Sequence, residues 1–96
     1  IGEVKIDGTK YQAIDNLGDT VEVGKRELAL LQFLWENEGK VVSRETIMAN
    51  VWGNEIDITY RTIDNYILAF RKYFETNPKE PKHFHSIRGV GYRFIP

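Results

Sequence analysis

Between Val4 and Val23 short β-prone runs are interrupted by Asp7-Gly8 and by Leu17-Gly18-Asp19. Gly and Asp tolerate positive φ, so both interruptions predict turns and the segment predicts a small antiparallel sheet. From Lys25 the spacing becomes helical: Leu28, Leu31, Leu34 and Trp35 recur at every third or fourth position, and Gly39 supplies a C-terminal stop. Gly24 is the expected N-cap, with Glu27 placed to reach back to its amide. Trp35 lies on the apolar stripe and is expected in the core. Ser43 is the next N-cap; it opens a short helix with Ile47, Met48 and Val51 on its apolar face, ending at Trp52-Gly53-Asn54.

After a loop over residues 53 to 58, a third helix is predicted from about residue 60 to 74, because Ile63, Ile67, Phe70 and Phe74 fall on one stripe. Its opposite face carries Arg61, Asp64, Asn65, Leu68, Ala69 and Lys72. Asn77-Pro78-Lys79-Glu80-Pro81 must end it, since neither proline fits a helix interior. The remaining residues alternate about Gly89-Val90-Gly91, as a hairpin does. No internal repeat or low-complexity tract is found. The order is a β-rich start, three helices and a terminal β-hairpin, an α+β architecture.

Length changes the picture first: 96 residues, 42% of them hydrophobic and 12% aromatic, suffice for one core and leave no room for a second domain. The absence of cysteine removes any disulfide framework or thiol nucleophile and fits a reducing compartment. No apolar run approaches the roughly 20 residues that cross a bilayer, and no signal-peptide pattern is present, so a soluble, cytoplasmic domain is expected. The only methionine is Met48, which predicts a segment cut from a longer protein. The net charge of −1 is unevenly spread. Residues 1 to 57 hold six Lys/Arg against eleven Asp/Glu, whereas residues 58 to 96 hold seven against three. Such asymmetry fits either one polyanion-facing surface or a chance imbalance between two solvated ones.

The third helix groups Arg61, Asp64 and Asn65 near its start on a free face. A helix fits the major groove, where Asn reads adenine, Asp accepts from cytosine and Arg holds phosphate or guanine; a solvated amphipathic face has the same periodicity. Arg88, just before Gly89-Val90-Gly91, places a long cation near the tip of a thin protrusion suited to a minor groove. Trp52 and Tyr92 either fill core, hydrogen-bond a phosphate at their edge, or do both. His83 and His85 lie two apart on a strand, but nothing nearby completes a metal set, and ordinary strand histidines are expected. No phosphate-cradling loop, nucleophile elbow or metal-ligand helix is found, so neither catalysis nor a cofactor is expected.

Five segments carry a resemblance: Glu27-Leu28 with its following leucines, Gly39-Lys40-Val41-Val42-Ser43-Arg44-Glu45, Val51-Trp52-Gly53, Arg61-Thr62-Ile63-Asp64, and Ile87-Arg88-Gly89-Val90-Gly91-Tyr92-Arg93-Phe94. In this order and spacing they resemble the C-terminal DNA-binding effector domain of OmpR/PhoB-type winged-helix response regulators. The resemblance implies a winged helix-turn-helix: a four-stranded N-terminal sheet, a three-helix core whose third helix reads DNA, and a C-terminal hairpin wing over residues 86 to 93. It also implies an N-terminal receiver domain lying outside this chain, phosphorylated on aspartate by a sensor kinase, whose dimerisation sets two effector domains on direct repeats; the isolated domain is expected to be monomeric. Trp52, Arg61, Thr62, Tyr66, Ser86 and Tyr92 match phosphate-contacting positions. Asp64, Asn65 and Ala69 match base-facing ones, and Arg88 matches the minor-groove residue of the wing. The loop of Gly53, Asn54, Glu55, Ile56, Asp57 and Ile58 matches the one that touches RNA polymerase in activators.

Two departures stand out. Leu68-Ala69 occupies the place of a pair of arginines common in the family, and Tyr66 stands where histidine or a small polar residue is frequent. Two lost cations remove up to about two contacts, each adding roughly 0.9 to the salt slope, so weaker and less salt-sensitive binding is expected. Leu68 can instead meet a thymine methyl and favour an A·T-rich site. The leading reading is sequence-specific double-stranded DNA binding in bacterial transcription regulation. The alternative is a winged-helix protein-interaction module that docks a partner on Leu68 and Ala69. RNA binding is disfavoured, since no exposed aromatic pair for stacking bases is evident on a sheet.

Overall fold

The computed structural model describes residues 5 to 7, 9 to 15, 17 to 53 and 57 to 96, apart from the Lys5 side chain. Strands β1 (Lys5–Asp7), β2 (Gln12–Ile14) and β3 (Thr20–Glu22) form an antiparallel sheet in the order β1-β2-β3. The helices α1 (Lys25–Glu36), α2 (Arg44–Ile47) and α3 (Tyr60–Phe74) follow, with β4 (Val41–Ser43) between the first two. Strands β5 (Phe84–Ile87) and β6 (Gly91–Phe94) are the predicted terminal hairpin.

The four-stranded first sheet implied by the resemblance has three strands among the described residues. The strand nearest in sequence, β4, pairs antiparallel with β6 instead, giving a second sheet ordered β4-β6-β5. Gly91 makes this possible. A Cβ there would lie 2.1 Å from the Val42 carbonyl oxygen, so only glycine lets β4 approach β6 so closely. The two hairpin glycines thus have different jobs: Gly89, at φ 74°, supplies the turn, and Gly91 supplies the sheet contact.

The core is built from one stripe per helix. Ile63, Ile67, Phe70 and Phe74 of α3 are all buried and meet Leu30, Leu31 and Leu34 of α1, Ile47 and Val51 of the second helix, and Phe84 and Phe94 of the hairpin. Phe84 sits centrally, with ring centroids 5.5 Å from Phe70 and 5.2 Å from Phe94. Ala13 and Val23 bring the first sheet to the same core.

Helix boundaries follow the expected signals. The Gly24 amide donates to Glu27 Oε1 at 3.3 Å, the half of a capping box open to a glycine. Ser43 Oγ accepts from the Thr46 amide at 3.0 Å. The second helix does not stop at α2. It widens into a π-helical turn, Met48–Trp52, closed by a Gly53 N–H to Met48 carbonyl bond of 3.1 Å with Gly53 at φ 62°. Its C-terminal carbonyls lack helical partners, and Arg26 Nη1 donates to the Val51 oxygen at 2.7 Å.

Trp35 departs from expectation. It is 47% exposed, because Leu30, Leu31 and Leu34 define the inward face and leave the next residue at its rim. Its ring lies against Phe94 at 5.7 Å between centroids, a lid on the core edge.

Candidate nucleic-acid interface

α3 is held to the core along one face and free along the other. Arg61, Asn65, Leu68 and Lys72 are exposed, one turn apart in succession, while Thr62 and Ala69 are half-buried at the flank. Leu68 is 59% exposed in the middle of this row, an apolar side chain among polar neighbours. No ion pair holds Arg61, Lys72 or Arg88 among the described residues. Arg88 sits in the exposed turn Arg88-Gly89-Val90, whose closing bond runs from the Val90 amide to the Ile87 carbonyl at 2.9 Å.

Asp64, expected to face bases, is committed elsewhere. Its Oδ1 accepts from Arg44 Nε at 2.8 Å and from the Tyr92 hydroxyl at 2.5 Å. The Arg44 guanidinium also lies over the Tyr92 ring, 5.6 Å from its centroid. Burial alone would raise the Asp64 pKa, but the hydrogen bonds from Tyr92 and Arg44 outweigh it and hold the carboxyl below its usual range. Burial and the adjacent carboxylate push the Tyr92 phenol up to about 12, and the Asp64 hydrogen bond raises Arg44. At neutral pH the trio is an ion pair with a neutral phenol donating into it. Tyr92 is therefore a buried core residue whose hydroxyl points at α3.

Trp52 is buried as well, and its indole stacks on Tyr66 with centroids 5.6 Å apart and planes 19° apart. Tyr66 thus supports the end of the second helix from α3. Ser86 is exposed, but its Oγ accepts from Arg71 Nη2 at 2.8 Å, leaving its own proton free for an outside acceptor. In the loop, Gly53 and Asp57 are exposed and Ile58 packs against the core; Asn54, Glu55 and Ile56 lie outside the described residues.

Three residues given no role by sequence reasoning hold this surface in place. Arg44 provides the cation to Asp64. Arg71 donates through Nε and Nη2 to the Phe84 carbonyl at 3.0 and 2.8 Å, tying the last turn of α3 to the root of the wing. Glu75, only 1% exposed, accepts from the backbone amides of Lys82, His83 and Phe84, each at 2.9 Å. A signal for Glu75 existed: a carboxylate directly after a helix C-terminus opposes the helix dipole and needs compensating donors. Of the three carboxylates in residues 58 to 96, two are thus turned to internal partners, and the outward charge of this half is more positive than its composition states. The histidines bond to backbone, His83 Nδ1 with the Ile95 oxygen and His85 Nε2 with the Lys82 oxygen. No group of three or more His, Asp or Glu placed to hold a metal ion occurs among the described residues. No helix among them is long and apolar enough to cross a membrane.

Comparison with known proteins gives the same picture. The family described as "Transcriptional regulatory protein, C terminal" matches residues 18 to 94. The sensory transduction protein RegX3 of Mycobacterium tuberculosis is 32% identical over 92 residues, which is 96% of this chain and 40% of RegX3. This chain therefore spans well under half the length of the curated relatives it matches. Among solved structures, the Thermotoga maritima response regulator DrrB, an OmpR/PhoB homolog, superposes with a TM-score of 0.81 and 36% identity, covering 100% of this chain and 43% of that one. The DNA-binding domain of Klebsiella pneumoniae RstA, solved in complex with the RstA box, gives 0.76 and 27%, covering 99% of this chain and 93% of that one. With the family matched over most of its length, the chain belongs to the C-terminal domains of transcriptional regulatory proteins, and its fold is the OmpR/PhoB winged helix.

Proposed function

We propose that the domain binds double-stranded DNA sequence-specifically, as the effector part of a two-component transcription regulator. In this reading α3 enters a major groove and residues 86 to 93 reach the adjacent minor groove. The observation that carries it is the free outer face of α3 standing beside the exposed Arg88 turn, in a fold whose RstA member was solved with its DNA box. Arg61, Thr62, Lys72 and Ser86 hold phosphates, Asn65, Leu68 and Ala69 face bases, and Arg88 enters the minor groove. Trp52, Tyr66 and Tyr92 serve chiefly as the packed support of that surface. A receiver domain outside this chain, phosphorylated by a sensor kinase, pairs two such domains on direct repeats. The loop over residues 53 to 58 is the surface offered to RNA polymerase. The activity is binding, with no catalysis and no cofactor, and its setting is the bacterial cytoplasm.

The test is a fluorescence-anisotropy titration against a pool of randomised duplexes of about 25 base pairs, a little over two helical turns, at several salt concentrations, followed by selection. Enrichment of a direct repeat about one turn apart, weakened in Arg88→Ala, supports the reading. Replacing thymine by uracil in the selected duplex deletes the C5 methyl; if Leu68 reads it, wild-type affinity falls and that of Leu68→Ala does not. One observation favours a second reading. The 59% exposure of Leu68 suits a protein contact, and failure to bind any duplex at low salt would establish that surface as a docking site.

A further inference from the structure

Arg44, Asp64 and Tyr92 come from three elements that have no local reason to meet. Arg44 opens the second helix, Asp64 lies in the second turn of α3, and Tyr92 stands in the middle strand of the wing sheet. Tyr92 is fixed on both sides, paired with Ser86 of β5 and Val42 of β4. Both donors converge on a single oxygen, Asp64 Oδ1. For that oxygen to accept from a cytosine amine it would have to surrender two charge-assisted hydrogen bonds, whereas Asn65 beside it is exposed with its amide unengaged among the described residues. Tyr92 lies four residues from Arg88 along the hairpin, so whatever fixes Tyr92 against α3 also fixes where the wing tip projects.

We propose that Arg44, Asp64 and Tyr92 form a brace that sets the recognition helix and the wing at one fixed angle, and that Asp64 is a positioning residue and not a base reader. The inference rests on the DNA-binding reading above. With the brace intact, base contacts from Asn65 and the minor-groove contact from Arg88 are made in a common register, and neither has to be organised at the cost of the other. Without it the wing still folds but samples several angles, and Arg88 contributes little.

The experiment compares wild type, Asp64→Ala, Tyr92→Phe, Arg88→Ala and the double variants Asp64→Ala/Arg88→Ala and Tyr92→Phe/Arg88→Ala. Each is selected from the same randomised duplex pool, then titrated against the wild-type winner, with circular dichroism confirming the fold. The brace predicts that Asp64→Ala and Tyr92→Phe recover the wild-type sequence at the major-groove positions, relax it only where Arg88→Ala does, and bind the wild-type winner on the order of tenfold more weakly. It also predicts that Arg88→Ala costs much less in either background than alone, a coupling that a general loss of stability does not produce. Tyr92→Phe removes one hydroxyl from a buried ring and carries the test if Asp64→Ala does not fold. A changed preference at one major-groove position in Asp64→Ala alone, or losses from the brace and wing substitutions that multiply independently, would overturn the proposal. If wild type binds no duplex even at low salt, the DNA reading itself falls and the proposal with it.

Discussion

Among the described residues two three-stranded antiparallel sheets are stabilised in opposite ways. The first, β1-β2-β3, is closed by its own turns: Asp7 Oδ1 accepts from the Thr9 amide and hydroxyl at 2.9 and 2.6 Å, and Asp15 Oδ1 accepts from the Leu17 and Asp19 amides, both at 2.9 Å. Every one of these bonds joins residues within four positions of each other. The second, β4-β6-β5, is tied to α3 and its C-terminal end by Asp64, Arg71 and Glu75, across sequence separations of 9 to 28 residues. A sheet that need only form can rely on local turns. A sheet that must hold a wing at a set angle to a helix needs partners on that helix.

The comparison is broken most severely at Glu75. Removing its carboxylate in Glu75→Ala strands three backbone amides at a site with almost no access to water, and each unsatisfied donor costs about 1–3 kcal/mol. A loss on the order of 4 kcal/mol is expected by urea unfolding, with Glu75→Gln intermediate because its amide keeps one acceptor oxygen. A loss under about 1 kcal/mol would show that the wing root holds without its anchor.

Glycine substitutions contrast the two sheets by a different route. Gly91→Ala drives a methyl into the Val42 backbone, where neither strand can yield without breaking the β4-β6 ladder; a loss of about 2–3 kcal/mol is expected. Gly18→Ala, at φ 86° with open space around it, meets only the backbone penalty of about 1 kcal/mol. Equal losses would mean that β4 and β6 adjust freely.

The same division explains what could be read from the chain. The period of Ile63, Ile67, Phe70 and Phe74 marks the observed limits of α3, and Asp7 and Gly18-Asp19 mark the turns of the first sheet, because each is a local property; Gly8 lies outside the described residues. Periodicity places Asp64 on the outer face of α3, and its bond to a tyrosine 28 residues away has no local trace in the sequence. Gly91 looked like a turn residue for the same reason: the strand it admits, β4, lies about 50 residues earlier and on the far side of two helices. Spacing puts Trp35 inside, whereas it is 47% exposed, because a stripe has an edge that spacing alone does not mark.

The pH profile separates the sheets more finely. Tyr92 has its pKa raised from 10.0 to about 12, so the folded state favours the neutral phenol. Its stabilisation is fully present below pH 10 and is lost as pH rises towards 12, by at most about 3 kcal/mol. The stability gap between wild type and Tyr92→Phe should therefore shrink across that window, with urea midpoints as the readout. Acid does not discriminate in this way. Asp64, the α3 partner of the second sheet, and Asp7 in the first both sit below their ordinary range, the latter chiefly through the Thr9 hydroxyl, and both lose their contribution as pH falls through those lowered values. A gap that stays constant through alkaline pH would mean that the Tyr92 hydroxyl does not bond Asp64 in solution.

The smallest effect belongs to the first sheet. Asp7→Ala removes the acceptor for the Thr9 amide and hydroxyl and for the Lys10 amide at 3.3 Å, yet all three donors are exposed and water replaces the carboxylate. The expected result is faster hydrogen exchange at the Thr9 and Lys10 amides, with a urea midpoint that moves less than in any variant above. DNA affinity should be unchanged, because the side-chain bonds of Asp7 among the described residues all stay within that turn. Asp7→Asn keeps an acceptor oxygen in place and should restore most of the amide protection. A global loss comparable to that of Glu75→Ala would erase the contrast, since it would make the first sheet depend on a single buttress as the second does.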